Sequence, residues 1–176
     1  MTTIQRVLAA AVLAPFLTAL AACSASVSTG SGYDPDDVAE QVQKAQADAT
    51  PDLEVTDASC PEDSEPDKKG DTTECTVDIE GVEATYLVTF TEVSDDGVKF
   101  DIEPAEAIVS VAKTVELFKG EIEKQGFADP VVDCGDAAVV VQEVGSTFTC
   151  DLTAEGTTIE GTVTIEDVDG NVTIEY

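Results

Sequence analysis

Cys75-Thr76-Val77-Asp78-Ile79-Glu80-Gly81-Val82-Glu83-Ala84-Thr85-Tyr86-Leu87-Val88-Thr89-Phe90 alternates apolar and polar residues on either side of a glycine. A period of two puts every second side chain on one face of a strand, and Gly81 supplies a turn. The stretch therefore predicts a β-hairpin with one buried face. Val98, Phe100 and Ile102 follow the turn signal Asp95-Asp96-Gly97 with the same alternation and add a further strand.

The pattern recurs about 75 residues later. Cys60 and Cys75 correspond to Cys134 and Cys150, and Gly81 corresponds to Gly156, each six residues after the second Cys. Thr85 to Phe90 answers to Glu160 to Ile165, and Val93 to Val168. Val98, Phe100 and Ile102 answer to Val172, Ile174 and Tyr176, after an Asp169-Gly170 turn. Phe148, Cys150, Leu152 and Ile159 supply the earlier strands of the second stretch. A fixed period of this length is the signature of a duplicated supersecondary unit.

Each copy opens with a helical pattern. In the second, Ile108, Val111, Ala112, Val115, Phe118 and Ile122 recur at three- and four-residue steps, with Gly126 as a stop and Lys119 and Lys124 near the end. In the first, Asp34 is an N-cap, Pro35 the first helical residue, and Val38, Val42, Ala45 and Ala49 form the stripe. The expected fold is α+β: a tandem repeat of a helix on a three- to four-stranded antiparallel sheet, over residues 34–104 and 105–176.

Composition narrows the function. The chain of 176 residues holds 37 Asp+Glu, 8 Lys+Arg, no His and no Trp, for a net charge of −29. So acidic a surface disfavours phosphate backbones, so nucleic acid is not an expected partner. Without His there is no Ser-His-Asp or Cys-His catalytic unit and no imidazole metal site. Apolar residues at 43% nonetheless suffice for a core.

Five cysteines include one special member. Met1 to Arg6 carries a positive charge, Val7 to Ala22 is an uncharged run broken by Pro15, and Leu20-Ala21-Ala22-Cys23 ends it. Residues 1–22 read as a signal peptide. Sixteen apolar residues span roughly 24 Å as a helix, short of the ~30 Å hydrocarbon core. The terminal four residues resemble the bacterial lipobox, which implies diacylglyceryl transfer to Cys23 and cleavage before it. Ordinary cleavage after Ala21 is the alternative, and it strands a free thiol in an exported chain. Residues 23–33 then form the lipidated Cys and a Ser/Gly-rich flexible tether. The expected location is the outer face of the cytoplasmic membrane. Because Arg6 is the only Arg, the mature part sets seven Lys against 37 acids.

The remaining four thiols allow three pairings, and the duplication favours Cys60 with Cys75 and Cys134 with Cys150. Each would close a loop of about 15 residues, worth roughly 3 kcal/mol in the chain-entropy model. A structural zinc site from the same thiols is the rival, opposed by export and by the lack of close spacing.

Cys60-Pro61, Gly70 to Cys75, Gly81 and Val88-Thr89-Phe90 resemble small exported domains of unknown function found in actinobacterial lipoproteins. The second copy offers Cys134, Gly145 to Cys150, Gly156 and Val163-Thr164-Ile165, with Gly135 in place of the proline. The resemblance implies location and fold and no activity. Tandem disulfide-bearing units of helix plus sheet also look like the secreted β-lactamase inhibitor proteins, an analogy of architecture alone.

Three segments carry possible chemistry. Ser110-Val111-Ala112-Lys113 matches the Ser-x-x-Lys of penicillin-recognising enzymes, but a companion Lys-Thr-Gly is missing, and an amphipathic helix explains it. Asp167-Val168-Asp169-Gly170-Asn171 has the flavour of a calcium loop, but its Gly falls fourth rather than sixth, and a hairpin turn explains it. Ala137-Ala138-Val139-Val140-Val141 is apolar enough for a core strand, the preferred reading, or for an exposed contact surface. The expectation is a lipid-anchored binding or protein-interaction module with an unknown envelope partner, no cofactor and at most weak divalent cation binding. An acidic electrostatic spacer is the first alternative and a carboxylate-based hydrolase the second.

Overall fold

The computed structural model describes Ser24–Val27 as backbone, and residues 33–63, 65–94 and 97–176. The predicted signal peptide at 1–22, Cys23, residues 28–32 of the predicted tether, Ser64 and Asp95-Asp96 lie outside the described residues. The protein is α+β, with two helices and antiparallel sheets among the described residues.

The first helix, α1 (Pro35–Ala49), starts where the sequence places its cap: Asp34 accepts from the Asp36 N–H at 3.0 Å, and Asp36 and Asp37 sit in the first turn, where the helix dipole favours them. Its buried face is Val38, Ala39, Val42 and Gln46. The expected stripe ended on Ala49, which is exposed. The line Val38, Val42, Gln46 advances by four residues, and the inward side chain is a glutamine because a polar partner awaits it below.

The first sheet runs β1 (Ser24–Val27), β5 (Gly97–Pro104), β4 (Val82–Ser94), β3 (Thr72–Ile79), β2 (Val55–Ser59) in spatial order. In the opening hairpin Ile79 pairs with Val82 across Glu80-Gly81, both at positive φ, so the glycine is needed there. Cys75, Val77, Ile79, Ala84, Tyr86, Val88 and Phe90 point inward and are buried. Ser24–Val27 belong to the segment read as a flexible tether, yet they pair antiparallel with β5. The outer edge of β5 offers unpaired backbone groups, and an adjacent extended segment satisfies them.

The second sheet has the order β11 (Val172–Glu175), β10 (Thr157–Ile165), β9 (Thr147–Ala154), β7 (Val131–Asp133). The helix α2 (Val111–Lys124) packs on its inner face through Phe118 and Ile122. Its β9–β10 hairpin turns on Glu155-Gly156, again both at positive φ. Gly70 N–H donates to Phe90 O at 2.7 Å and Phe90 N–H to Asp71 O at 2.9 Å; Gly145 to Ile165 at 2.8 Å and Ile165 to Ser146 at 3.0 Å repeat the arrangement.

Two further expectations change. Ile108 lies in a strand, β6 (Ala107–Ser110), and the helix begins only after Ser110, whose hydroxyl accepts from the Lys113 N–H at 3.4 Å. The apolar step from Ile108 to Val111 fits a helix, but the alternation Ala107, Val109 belongs to a strand. The last strand also shifts: Phe90 faces Phe100, whereas Ile165 faces Val172, so Val172 takes the place of Phe100 rather than of Val98. The first hairpin is longer because β4 continues past a bulge between Phe90 and Glu92 to Ser94.

β6 pairs antiparallel with β8 (Val139–Gln142) as a two-stranded ribbon. Val139, Ile108 and Val141 lie on one side of it and pack with the first core. Ala107, Val109 and Val140 lie on the other and pack with Ile165, Phe148 and Val172 of the second sheet. The run at 137–141 is thus core from Val139 onward, while Ala137 and Ala138 are exposed.

Gly161 keeps the second core closed. A Cβ there would stand 2.8 Å from Leu152 Cδ1 and 2.8 Å from Phe118 Cε1. Gly161→Ala is expected to cost about 1–3 kcal/mol in denaturant unfolding, as overpacking does. Gly120→Ala, in α2 with nothing within 4 Å, should be neutral or stabilising by up to about 1 kcal/mol. Equal effects of the two substitutions would refute this packing.

Candidate functional site

Each cysteine pair closes the strand that follows its helix. Cys60 and Cys75 are bonded with Cα atoms 4.3 Å apart and a separation of 15 residues; Cys134 and Cys150 are bonded at 4.1 Å and 16 residues. Cys75 and Cys150 are buried on the inner sheet faces. Two disulfides fit an oxidising, non-cytoplasmic compartment. Among the described residues, no helix is long and apolar enough to cross a membrane. Cys23, the predicted lipid site, lies outside the described residues.

The loops inside the disulfide rings differ. In the first, Asp71 accepts from the backbone N–H groups of Asp67 at 2.9 Å and Lys68 at 3.1 Å. Chiefly the Lys68 N–H bond holds the Asp71 carboxyl below its usual range. In the second, Gly135 N–H donates to Asp133 at 2.9 Å and the chain runs on into the ribbon.

The segments that suggested chemistry are occupied with local structure. Ser110 caps α2, and Lys113 is exposed beyond it. Asp167 accepts from the N–H groups of Asp169 and Asn171, each at 3.1 Å, and from the Asn171 amide at 2.8 Å. Its carboxylate is therefore spent on building the turn. Gly170, at φ 76, is needed there twice over, because a Cβ would collide with the Ile108 carbonyl oxygen. Among the described residues, no group of three or more Cys, Asp or Glu is placed to hold a metal ion.

Both sheets leave a face uncovered by helix or ribbon. On the first it carries Thr72, Glu74, Thr76, Leu87, Thr89 and Glu103; on the second, Thr149, Asp151, Thr153, Thr158, Glu160 and Thr162. Asp133, Asp151 and Glu160 stand directly opposite one another across three strands, all exposed. Like charges so placed are mutually destabilising. Among the described residues, four surface Lys–carboxylate pairs offset little of this.

One polar group within the first core was missed from sequence. The Tyr86 hydroxyl donates to Gln46 Oε1, Gln46 Nε2 donates to Thr50 Oγ1 at 2.9 Å, and Thr50 Oγ1 donates to the Gln46 carbonyl at 3.0 Å. The signal was a tyrosine among inward-facing apolar residues and a glutamine on the apolar line of α1.

Residues 18–97 match a family described as Domain of unknown function (DUF4333), a similarity that covers less than half of the chain and takes in α1, the Cys60–Cys75 pair and most of the first sheet. No curated protein and no solved structure matches the chain.

Burial pushes the Tyr86 phenol well above its ordinary value of 10.0. The folded state holds that proton more tightly than the unfolded chain, so its contribution is complete below pH 10 and declines as pH rises further. Tyr86→Phe is expected to flatten the alkaline fall in stability while costing about 1–3 kcal/mol at neutral pH, because Gln46 Oε1 loses its donor. A phenolate absorbance in which Tyr86 titrates like a free tyrosine would contradict this.

Proposed function

We propose that the chain is a lipid-anchored extracytoplasmic binding module, built of two copies of one unit and without chemistry of its own. The anchor is carried by a single observation: an uncharged run that begins after Arg6 and ends on Leu20-Ala21-Ala22-Cys23, immediately before a Ser-rich segment. The disulfides support export, since such bonds persist in oxidising compartments. Two signals, the diacylglyceryl chains together, hold a protein stably where one chain would not.

Duplication is supported by the shared order of helix, disulfide and four antiparallel strands, by the two Glu-Gly turns, and by the matching bonds from Gly70 and Gly145. A binding role is supported by the two uncovered Thr- and carboxylate-bearing sheet faces, carried on a stapled scaffold. The partner is an unidentified envelope protein or ligand. The facing acids Asp133, Asp151 and Glu160 favour a second reading, an acidic spacer of the cell envelope. Neutralising acids anywhere would then abolish function equally, whereas a binding module depends on one patch.

In an export-competent bacterial host, the wild-type chain is expected in the membrane fraction, with a diacylglyceryl mass on the peptide beginning at Cys23. Cys23→Ser should release it into the soluble exported fraction. A soluble wild type beginning at Ala22 would overturn the anchor, and crosslinking that captures no specific envelope component would overturn the binding role.

A further inference from the structure

We propose that the outer edge of β11 takes an extended, Lys- or Arg-bearing segment of another envelope polypeptide as a fifth strand of the second sheet. This rests on the duplication and the binding role proposed above, and it places binding on a strand edge rather than a sheet face. The two sheets align strand for strand, β5, β4, β3 and β2 against β11, β10, β9 and β7, and the first has a fifth member, β1, outside β5. Among the described residues no strand pairs with β11 on the matching side.

The backbone groups of that edge follow from the ladder. Ile165 N–H donates to Ser146 O at 3.0 Å and its carbonyl accepts from Gly145 N–H at 2.8 Å, so both groups of Ile165 face β9. Val172 stands opposite Ile165 without bonding to it, and its own N–H and C=O turn away from β10. Ile174, two residues on, repeats that orientation. In the first sheet Phe90 is bonded in the same way to Gly70 and Asp71, and the outward groups of Phe100, opposite it, meet Ala25 of β1. A row of outward N–H and C=O groups is what an added strand pairs with. Val172–Glu175 contains no proline and no Lys, and its register against β10 is unbroken, so Glu175 is its one guard against such pairing.

Charge chooses the occupant. Glu166, Asp169 and Glu175 are exposed around this edge, and residues 125–176 hold eleven acids and no Lys or Arg. A second copy of the chain, at a net charge of −29, brings like charge here, whereas a cationic segment brings the opposite sign. The side chains of Val172 and Ile174 are half-buried against the second core, so apolar residues at alternate positions of the segment extend that row. The fitting sequence alternates a β-branched residue with a basic or hydroxyl residue, which sets a cation opposite Glu175.

The test uses the full exported chain carrying Cys23→Ser, which needs no membrane, and the capped peptide Lys-Val-Thr-Val-Lys in excess. Val172 and Ile174 amides are expected to exchange quickly in the free protein and to slow roughly tenfold or more with the peptide, while β2 amides stay unchanged. Methylating both valine nitrogens of the peptide, which removes the ladder donors, should weaken binding roughly tenfold. Exchanging its two lysines for glutamates, introducing Glu175→Lys at the exposed edge position, or going from low to physiological salt should each weaken it several-fold. Val172 and Ile174 amides already protected in the free chain, protection that grows with protein concentration alone, or equal binding of the lysine and glutamate peptides overturns the proposal. If crosslinking still captures a specific envelope component while the edge takes no peptide, the edge is refuted and the binding role stands.

Discussion

The two halves of the molecule are held together by a ribbon with two apolar sides. β6 and β8 give Ile108, Val139 and Val141 to the first core and Ala107, Val109 and Val140 to the second sheet. A strand buried on both faces reads as an unbroken apolar run, which is why three valines stand in a row at 139–141. The ribbon also fixes the hairpin at Gly170, whose backbone lies against Ile108. Fully burying a Val or Ile side chain contributes about 1.5–3 kcal/mol, so the ribbon is a large share of what a small core can muster.

Each half alone is small and poor in large aromatics, and it compensates by constraint. The disulfides join the start of the inner strands to the segments after each helix, restricting the unfolded chain by about 3 kcal/mol apiece in the entropy model. In the first core Phe90 meets Tyr33 and Phe100 edge to face at 5.7 and 6.1 Å, and the Tyr86–Gln46–Thr50 chain pairs the polar groups it brings inside; among the described residues no buried side-chain polar atom lacks a partner. In the second, Phe118 occupies the space left by Gly161 and meets Tyr176 at 5.9 Å. Among the described residues no Asp or Glu is buried.

The period-two stretches at Val77–Phe90 and Phe148–Ile165 were legible because one sheet face is dry and the other wet, and the cysteine pairing was favoured by the correspondence between the two stretches. The α1 cap was legible because Asp-Pro-Asp-Asp satisfies orphan N–H groups in an unambiguous way. Ile108 was misread because an apolar residue three before a helix looks like its first turn; Ser110 was the sign that the helix had yet to start. Gln46 and Tyr86 were hidden because a polar pair inside a core is visible only when both partners are known. The Ser110 hydroxyl caps α2 and the Asp167 carboxylate builds its turn, the local roles that a helix start and an Asp-Gly hairpin call for. Location is written in local signals of the sequence, whereas a partner would be recognised by the whole shape and charge of the sheet faces.

If the ribbon unites the halves, they unfold together despite their separate sheets and separate disulfides. Scanning calorimetry of the oxidised chain is the most direct measurement: a single transition whose calorimetric and van't Hoff enthalpies agree is predicted. Two resolved transitions, one for each disulfide-closed half, would contradict the account.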